Sequence, residues 1–478
     1  MVFEKAKGIA RSAFARKVSQ YLADASPKTL SRLWWLFEKA ASTEKDKREA
    51  RRFRWLIESG HPFGEWLQRV STELNESARV SLINNLYGNA WFLNKPTRQE
   101  FEEEHGYSPP HFFVVDVTAR CNLNCEGCWA GKYSKSSDLD LELLDERLTE
   151  AKEEMGVHFF VFSGGEPTLR EDLFELYREH DDCQFQIYTN GTLIDEDMAD
   201  TFAELGNVMP MLSIEGSEVL TNERRGNGVH DRVMAAMDRM RERGVLFGFS
   251  ATATRKNAEA ISSEEFIEKM VEKGCLYGWY FQYIPIGRNP NMDLMVTAEQ
   301  RDMLRRRMYD LRDTYPIFMC DFWNDGPEVN GCMAGGHRYF HITNDGDLEP
   351  CVFCHFAAEN IHDKTLTEAL KHPFYRDIRE GIPYDGNTLR PCMLIDRPWE
   401  FRGHFERYED VEPTHEGAET LVTDLADDLD EHAREWAEVA DRAWREGDFM
   451  GLFPYPPGDR PDYLKAGEGA EARAAARE

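Results

Sequence analysis

Three cysteines fall within eight residues, and they constrain this chain more than any other feature of its sequence. Cys121, Cys125 and Cys128 directly follow the apolar segment 111–117. That segment is short, rich in Val and Phe, and preceded by two prolines, which predicts a buried strand. The cysteines then belong to a loop at the carboxyl end of the strand, where α/β barrels carry their chemistry. Three thiolates held close together suit a zinc ion or an iron–sulfur cluster.

The composition narrows the class of protein. The 478 residues are enough for two or three domains, and the formal net charge of −30 argues against a nucleic-acid partner. The acidic, Lys-poor sequence favours a halophilic protein, with an ordinary acidic protein as the alternative. The first residues lack the apolar core of a signal peptide, and no run of about 18 apolar residues occurs, so we expect a cytoplasmic chain. Ten cysteines in such a chain indicate metal or redox chemistry rather than disulfides.

Strands and helices alternate from about residue 108 to residue 290, which is typical of a parallel α/β sheet. We predict strands at residues 111–117, 157–162, 184–188, 208–214, 246–252 and 277–284. We predict helices at residues 141–155, 170–179, 195–205, 230–243, 263–273 and 297–313. Six β/α units are too few for a closed eight-stranded barrel.

Short glycine-containing motifs follow four of these strands. They are Ser163-Gly164-Gly165-Glu166-Pro167, Thr189-Asn190-Gly191, Ser213-Ile214-Glu215-Gly216 with Arg224-Arg225-Gly226, and Pro285-Ile286-Gly287-Arg288. Paired glycines let a ligand approach the backbone closely, and a carboxylate can accept hydrogen bonds from an ammonium group. Any one motif alone is more often an ordinary turn. Their number and order after the cysteine loop argue against coincidence.

The Cys-x3-Cys-x2-Cys spacing and these motifs resemble the radical S-adenosylmethionine (SAM) superfamily. In that family the three cysteines hold a [4Fe–4S] cluster whose open iron binds SAM, and an electron from the cluster cleaves SAM to methionine and a 5′-deoxyadenosyl radical. The resemblance implies that Cys121, Cys125 and Cys128 are the metal ligands. It also implies an open (β/α)6 partial TIM barrel with a helical N-terminal region and a small Cys-rich C-terminal extension, which fits the six units. A zinc knuckle with a fourth ligand elsewhere is the alternative.

The resemblance also implies the contacts to SAM. Carried over motif by motif, the contacts are Gly164, Gly165, Glu166, Pro167, Thr189, Asn190, Ser213 and Arg225. The Gly-Gly-Glu-Pro motif binds the methionine amino group in the family, and the Ser and Arg commonly contact the ribose or carboxylate. Glu215 stands where an Asp is more usual, so its role is open. No residue is predicted to be catalytic by itself.

A second group of cysteines lies between residues 315 and 400. Cys332, Gly346 and Cys351 form a Cys-x13-Gly-x4-Cys pattern, which resembles the opening of the SPASM/twitch extension with its auxiliary iron–sulfur cluster. An Asp-Gly turn between them predicts a β-hairpin that brings the two cysteines together. Cys392 is expected as a third ligand. The full pattern of seven cysteines is not met, so we expect one auxiliary cluster.

Three questions about these cysteines stay open at the level of sequence. The fourth ligand is Cys354 or Cys320, or it is absent. A zinc site is the alternative, and it would use His337, His341 or His355. Cys183 and Cys275 lie beside predicted strands and are expected to be core thiols.

We divide the chain into four regions: a helical region at 1–105, the barrel at 106–314, the auxiliary extension at 315–400, and an amphipathic helix with an acidic disordered tail at 401–478. The first region is rich in aromatic residues at helical spacing. It is either a small helical domain that packs on the barrel, or a surface for a lipid-like substrate or the membrane interface.

The sequence therefore predicts an enzyme that cleaves SAM to start hydrogen abstraction on an unidentified substrate, with a lipid or isoprenoid as one hypothesis. A radical peptide- or protein-modifying enzyme, a non-catalytic iron–sulfur electron carrier and a zinc-stapled scaffold are the alternatives. The expected partners are a small-molecule or lipid substrate and an electron donor such as ferredoxin or flavodoxin. No nucleic acid is expected, and peripheral membrane contact is left open.

Overall fold

The computed structural model describes residues 26–41, 43–131, 137–336 and 338–464. Three predictions fall wholly or partly outside these ranges: the helical character of residues 1–25, His337 as an alternative zinc ligand, and disorder of residues 466–478. Within the described chain, no helix combines the length and apolar character needed to cross a bilayer.

The N-terminal region is helical over its described part, as predicted. Its helices are α1 (Pro27–Ala40), α2 (Glu44–Glu58), α3 (Pro62–Glu73), α4 (Glu76–Ser81), a π-helix (Leu82–Leu93) and α5 (Lys95–His105). These helices lie against the amino ends of the barrel strands. The indole of Trp66 donates to the carbonyl of Leu276 at 2.7 Å, and the Asn85 amide donates to that of Cys183 at 2.9 Å. The helical region therefore forms the floor of the barrel.

Six parallel strands follow in the predicted order. They are β1 (Phe112–Thr118), β2 (Phe159–Gly164), β3 (Gln184–Thr189), β4 (Val208–Ser213), β5 (Gly248–Ala253) and β6 (Tyr277–Gln282). The helices between and after them are α6 (Leu141–Met155), α7 (Leu173–Glu179), α8 (Glu196–Leu205), α9 (Glu218–Arg225), α10 (Val229–Glu242), α11 (Ala258–Ile261), α12 (Glu264–Glu272) and α13 (Ala298–Arg312). The open, parallel α/β fold is confirmed.

The sheet continues beyond the six predicted units. Strand β7 (Phe318–Asp321) pairs in parallel with β6, and β8 (Tyr339–Ile342) pairs in parallel with β1 on the other side. The predicted hairpin is present, because β8 turns back into the antiparallel strand β9 (Asp347–Glu349). Residues after position 314 thus flank the barrel on both sides.

The Cys-rich region and the C-terminus complete the fold. Their elements are α14 (Gly326–Val329), β10 (Phe356–Ala357), β11 (Glu359–Asn360), α15 (Leu366–Ala369), α16 (Pro373–Gly381), α17 (Pro398–Glu406), β12 (Glu412–Pro413) and α18 (Ala426–Glu446). The last helix is the predicted amphipathic one. It packs on α13, where Trp436 covers the guanidinium of Arg301 at 4.1 Å while Arg301 pairs with the buried Asp396. This buried ion pair ties the barrel to the Cys-rich region.

Candidate active site at the carboxyl end of the sheet

The cysteine loop leaves β1 at the carboxyl end of the sheet, as predicted. Cys121, Cys125 and Cys128 line one cavity of about 2840 Å³. Seven of the eight predicted SAM contacts line the same cavity: Gly164, Gly165, Glu166, Thr189, Asn190, Ser213 and Arg225. The eighth, Pro167, instead begins a short 3-10 turn over Pro167–Leu169. The structure thus brings the thiols and the strand-end motifs together.

Gly165 lets the loop after β2 lie directly against the cysteine loop. Its amide donates to the carbonyl of Thr118 at 2.7 Å, and the amide of Glu166 donates to that of Arg120 at 2.8 Å. A Cβ atom on Gly165 would collide with the Arg120 carbonyl. Gly165 is therefore needed because the backbone of the cysteine loop approaches it closely. This contact holds the start of the cysteine loop in place.

Glu166 ties the loops after β2 and β3 together. Its Oε1 accepts from the hydroxyls of Thr168 and Thr189, each at 2.6 Å, and its Oε2 accepts from the amide of Asn190 at 2.7 Å. The side chain is buried, and burial raises the pKa of its carboxyl despite these bonds. Asn190 in turn donates to Asn122 of the cysteine loop at 2.8 Å. The motif residues thus form one network around the thiols.

Glu215, whose role the sequence left open, holds two arginines beside the thiols. Its buried Oε1 accepts from Arg224 at 2.5 Å and from the Nε of Arg225 at 2.8 Å. Burial lowers the pKa of the Arg225 guanidinium, but the charges of Glu215 and Cys125 outweigh it and leave the pKa raised. Two cations on one carboxylate leave net positive charge next to the cysteine loop. Sequence reasoning missed this clamp because its partners are nine and ten residues apart.

The motif after β6 holds the cysteine loop from the opposite side. The amide of Arg288 donates to the carbonyl of Cys128 at 2.9 Å, and its guanidinium donates to that of Gly131 at 3.2 Å. Gly287 has a positive φ of 72°, and a side chain there would collide with the backbone of Trp129. A glycine is thus required where this motif crosses the loop.

The thiols of the first set differ in burial and charge. Cys121 is exposed, whereas Cys125 and Cys128 are half-buried. Although Cys121 is exposed as a residue, the protein around its sulfur partly desolvates the thiol and raises its pKa to about 11, and the charge of the nearby Glu166 adds to the rise. Burial also raises the pKa of Cys128, while Arg224 and Arg288 oppose the rise. A bound metal and the arginines would therefore both stabilise the thiolate forms of these cysteines.

The auxiliary thiols form a second set in the Cys-rich region. The charges of Cys351, Cys354 and Cys392 act on one another, and Cys332 is close to Cys351 and Cys392. Burial raises the pKa of Cys351 to about 12 and that of Cys392 to about 11. The structure thus places Cys354 with the three predicted ligands.

Cys320, the other candidate for the fourth ligand, lies apart from them. It pairs with Trp279 across β6 and β7, and its charged neighbours are Asp325 and Arg312 rather than cysteines. It lines the large cavity beside Tyr188. Cys183 and Cys275 are fully buried, which agrees with their prediction as core thiols.

The spacing of both thiol sets bears on the metal they fit. A tetrahedral zinc ion with Zn–S bonds of about 2.3 Å brings its sulfurs within about 3.8 Å of one another. Among the residues that the structure describes, no three cysteine sulfurs lie within 4.8 Å of one another. This spacing counts against a single tetrahedral zinc ion at either set, and it leaves an iron–sulfur cluster as the group that the thiols would hold.

Two of the histidines proposed for the alternative zinc site, His341 and His355, contact other groups. His341 lies between two buried carboxylates, 2.6 Å from Glu349 and 3.2 Å from Asp116. Burial alone would lower its pKa, but the two carboxylates raise the pKa of His341 to about 10. His355 stacks on His415 with ring centroids 4.0 Å apart, and burial lowers the pKa of His355 to about 3.

Comparison with known families agrees with this geometry. Residues 115–254 match the radical SAM superfamily, and residues 332–394 match the SPASM iron–sulfur cluster-binding domain. The AdoMet-dependent heme synthase of Oleidesulfovibrio alaskensis is 27% identical over 316 residues, which cover 59% of this chain and 80% of that protein. The PqqA peptide cyclase of Gluconobacter oxydans is 26% identical over 308 residues, which cover 61% and 85%.

Solved structures share the fold. Streptococcus suis SuiB bound to S-adenosylmethionine superposes with a TM-score of 0.51 at 18% identity, covering 70% of this chain and 84% of that one. Native anSMEcpe with bound AdoMet gives a TM-score of 0.50 at 19% identity, covering 69% and 99%. The strand-end site and the family matches together show a radical SAM enzyme domain at residues 115–254 and a SPASM domain at residues 332–394, which imply SAM, a [4Fe–4S] cluster and auxiliary iron–sulfur clusters.

Proposed function

We propose that this enzyme abstracts a hydrogen atom from a long, mainly apolar substrate, of the lipid or isoprenoid class, that lies in the barrel lumen. The observation that carries the proposal is the cavity of about 2840 Å³, which runs from the cysteine loop through the lumen to the helical floor. When bound, the cluster and SAM supply the reductive cleavage that generates the 5′-deoxyadenosyl radical. A ferredoxin or flavodoxin in the cytoplasm would donate the electron.

The walls of the lumen support an apolar substrate. Val114 and Val161 line it from β1 and β2, and three aromatic residues line it from β3 and β6. Tyr188 and Phe281 lie 5.6 Å apart between ring centroids, and Trp279 stacks on Phe281 at 6.1 Å. Such a lining favours apolar chains.

The residues of the chain itself would position the reactants. Cys121, Cys125 and Cys128 would hold the cluster, and the network around Glu166 would fix the loops that bind SAM. Arg225, held by Glu215, would orient a SAM carboxylate or ribose. Hydrogen abstraction breaks a substrate C–H bond and forms one at the 5′ carbon, which needs the two carbons about 3–3.5 Å apart. Rigid strand ends suit that demand.

A peptide or a tetrapyrrole is the second candidate substrate, favoured by relatives rather than by the cavity. Those relatives are named PqqA peptide cyclase and AdoMet-dependent heme synthase, and this chain covers 80–85% of the two compared above.

The test is anaerobic incubation of the cluster-loaded enzyme with SAM, dithionite and candidate substrates. Lipid extracted from the purified enzyme is identified by mass spectrometry and then supplied in deuterated form. We expect deuterium to move from the chain into 5′-deoxyadenosine. Co-purified peptide or tetrapyrrole, with no deuterium transfer from any lipid, would refute the lipid assignment and favour the second candidate.

A further inference from the structure

Two arginines stand in the cavity wall at the floor of the barrel, far from the cysteine loop. Arg98 belongs to α5, and Arg338 directly precedes β8; both line the cavity and are half-buried. His111, directly before β1, contacts Arg338 and stacks on Trp91 of the π-helix with ring centroids 5.7 Å apart. Arg98, Arg338 and His111 therefore lie where the barrel lumen meets the helical floor.

The hydrogen bonds of these arginines reach neutral groups. Arg98 donates to the carbonyls of Pro109 at 2.7 Å and Pro110 at 2.9 Å. Arg338 donates to the carbonyl of Val329 and contacts the His111 ring, both at 3.3 Å, and its buried Nε has no hydrogen-bond partner. Across the described residues, no carboxylate comes within 4.0 Å of either guanidinium.

This lack of an anionic partner contrasts with the other buried arginines. Arg52 pairs with Glu328 at 2.9 Å, and Arg312 pairs with Asp325 at 2.6 Å. Burial and the charge of Arg338 lower the pKa of Arg98 to about 10, and Glu102 opposes the shift only partly. Two half-buried cations that repel each other are unfavourable unless an anion joins them.

The distance along β1 sets the size of a ligand that could reach both ends. Strand β1 runs for six residue steps from Phe112 at the floor to Thr118 at the cysteine loop. At about 3.3 Å per step the strand spans about 20 Å. Phe112 and Val114 line the cavity along this path. A saturated chain of about sixteen carbons has a similar extended length.

The floor also offers an apolar entrance beside the arginines. The π-helix Leu82–Leu93 contains no charged residue, although 30% of the whole chain is charged. Its Trp91 and Leu93 are about half exposed and line the cavity. An amphiphile would thus meet apolar side chains and a cationic pair at the same opening.

We propose that Arg98 and Arg338 bind the acidic head group of a long-chain amphiphile, a carboxylate or phosphate, whose tail runs through the lumen toward the cysteine loop. The proposal rests on the proposed function, since it assigns one end of the apolar substrate. Paired guanidinium groups suit both head groups, because each presents parallel N–H donors to two oxygens.

Binding of defined single-chain probes to the cluster-loaded enzyme tests the proposal. Hexadecanoate and hexadecanol have the same chain and differ in head-group charge. We expect hexadecanoate to bind about tenfold more tightly, from charge-assisted hydrogen bonds. The Arg98→Gln/Arg338→Gln variant should lose this preference while retaining hexadecanol binding. Arg338→Lys, which keeps the charge, should retain part of the preference.

Arg32→Gln, which removes an exposed arginine of α1 outside the cavity wall, is the matched control and should leave the preference intact. Equal binding of the two probes to the unmodified enzyme would overturn the head-group site and leave the apolar substrate standing. Binding of neither probe would overturn both. Acetate or inorganic phosphate binding as tightly as hexadecanoate would mean a free-anion site and overturn the amphiphile. If the double variant fails to fold, Arg338→Gln alone must weaken the preference, or the proposal fails.

Discussion

The two thiol sets of this enzyme sit in opposite electrostatic surroundings. The first set lines an open cavity, and Arg224, Arg225 and Arg288 stand around its loop. The auxiliary set is largely buried, and the charges of Glu349 and Asp396 raise the pKa of Cys354 and Cys392 beyond the effect of burial.

The difference indicates how each set meets its task. Arginines around the open set offset the negative charge of thiolates and can also orient an incoming carboxylate. Among the described residues, the cations His341 and Arg301 are already paired with the two carboxylates beside the auxiliary set, so we expect the metal itself to hold the auxiliary thiolates ionised. The first environment suits a site that exchanges ligands, and the second suits a closed and permanent one.

The strongest test of this difference between the two thiol sets is to remove one cysteine from each set. Cys125→Ala should abolish SAM cleavage with dithionite, since it removes a ligand of the open cluster. Cys392→Ala should lose about half of the iron but keep most SAM cleavage, because the first set remains complete. Iron content and 5′-deoxyadenosine are the measurements.

Cys275→Ala is the matched control, since Cys275 is a fully buried thiol outside both sets. It should retain the iron content of the unmodified enzyme. Equal loss of SAM cleavage in Cys125→Ala and Cys392→Ala would show that the two sets are not separable, and the comparison would fail.

The second prediction concerns the proton that stabilises the auxiliary side. His341→Gln leaves the buried Asp116 and Glu349 without their cation, which should lower the free energy of unfolding near pH 7 by about 3–5 kcal/mol. The folded chain holds the His341 proton up to about pH 10, whereas the ordinary pKa is 6.5. Its stabilisation is therefore complete below pH 6.5 and is lost as the pH rises through 10.

Denaturant unfolding of the unmodified enzyme and the His341→Gln variant across that range measures the effect. The gap between the two should close toward the alkaline end. His362→Gln, at an exposed histidine, should match the unmodified enzyme throughout. A pH-independent gap would mean that His341 contributes by packing rather than by charge.

The third prediction has the smallest expected effect. It tests the contacts of Glu215 with Arg224 and Arg225 beside the first thiol set. Glu215→Gln keeps the shape of the side chain but removes the charge that holds Arg224 and Arg225, and should weaken SAM binding about tenfold without loss of iron. Glu223→Gln removes a surface carboxylate that pairs with Lys256 at 3.2 Å and should leave SAM affinity unchanged. If the Glu215→Gln variant binds SAM with unchanged affinity, Arg224 and Arg225 do not position SAM.

Local patterns predicted the regular elements well. The helix predicted at 141–155 is α6, and the strand at 184–188 is β3 with one more residue, because hydrophobic periodicity is read from near neighbours. Strand β7 escaped prediction because four residues carry too short a pattern. The pairing of β8 with β1 joins segments more than two hundred residues apart, which no local signal encodes.

The site residues also divide into those that local patterns predict and those that depend on tertiary contacts. The strand-end motifs indicated which residues face one cavity, because parallel strands end at one edge of the sheet. The choice between Cys354 and Cys320 depended on how the chain returns in space. The buried ion pairs of Glu215 and His341 depend on tertiary contacts in the same way.

The order of the strands in the sheet has a consequence for how the polypeptide folds. Strands β7 and β8 both come from beyond residue 314, yet they cover the outer flanks of β6 and β1. A polypeptide ending at residue 314 would leave two bare rows of amide and carbonyl groups, which invite intermolecular strand pairing and aggregation. Synthesis must therefore run past residue 342 before the first strand gains its second neighbour, and until then the nascent barrel depends on protection from self-association.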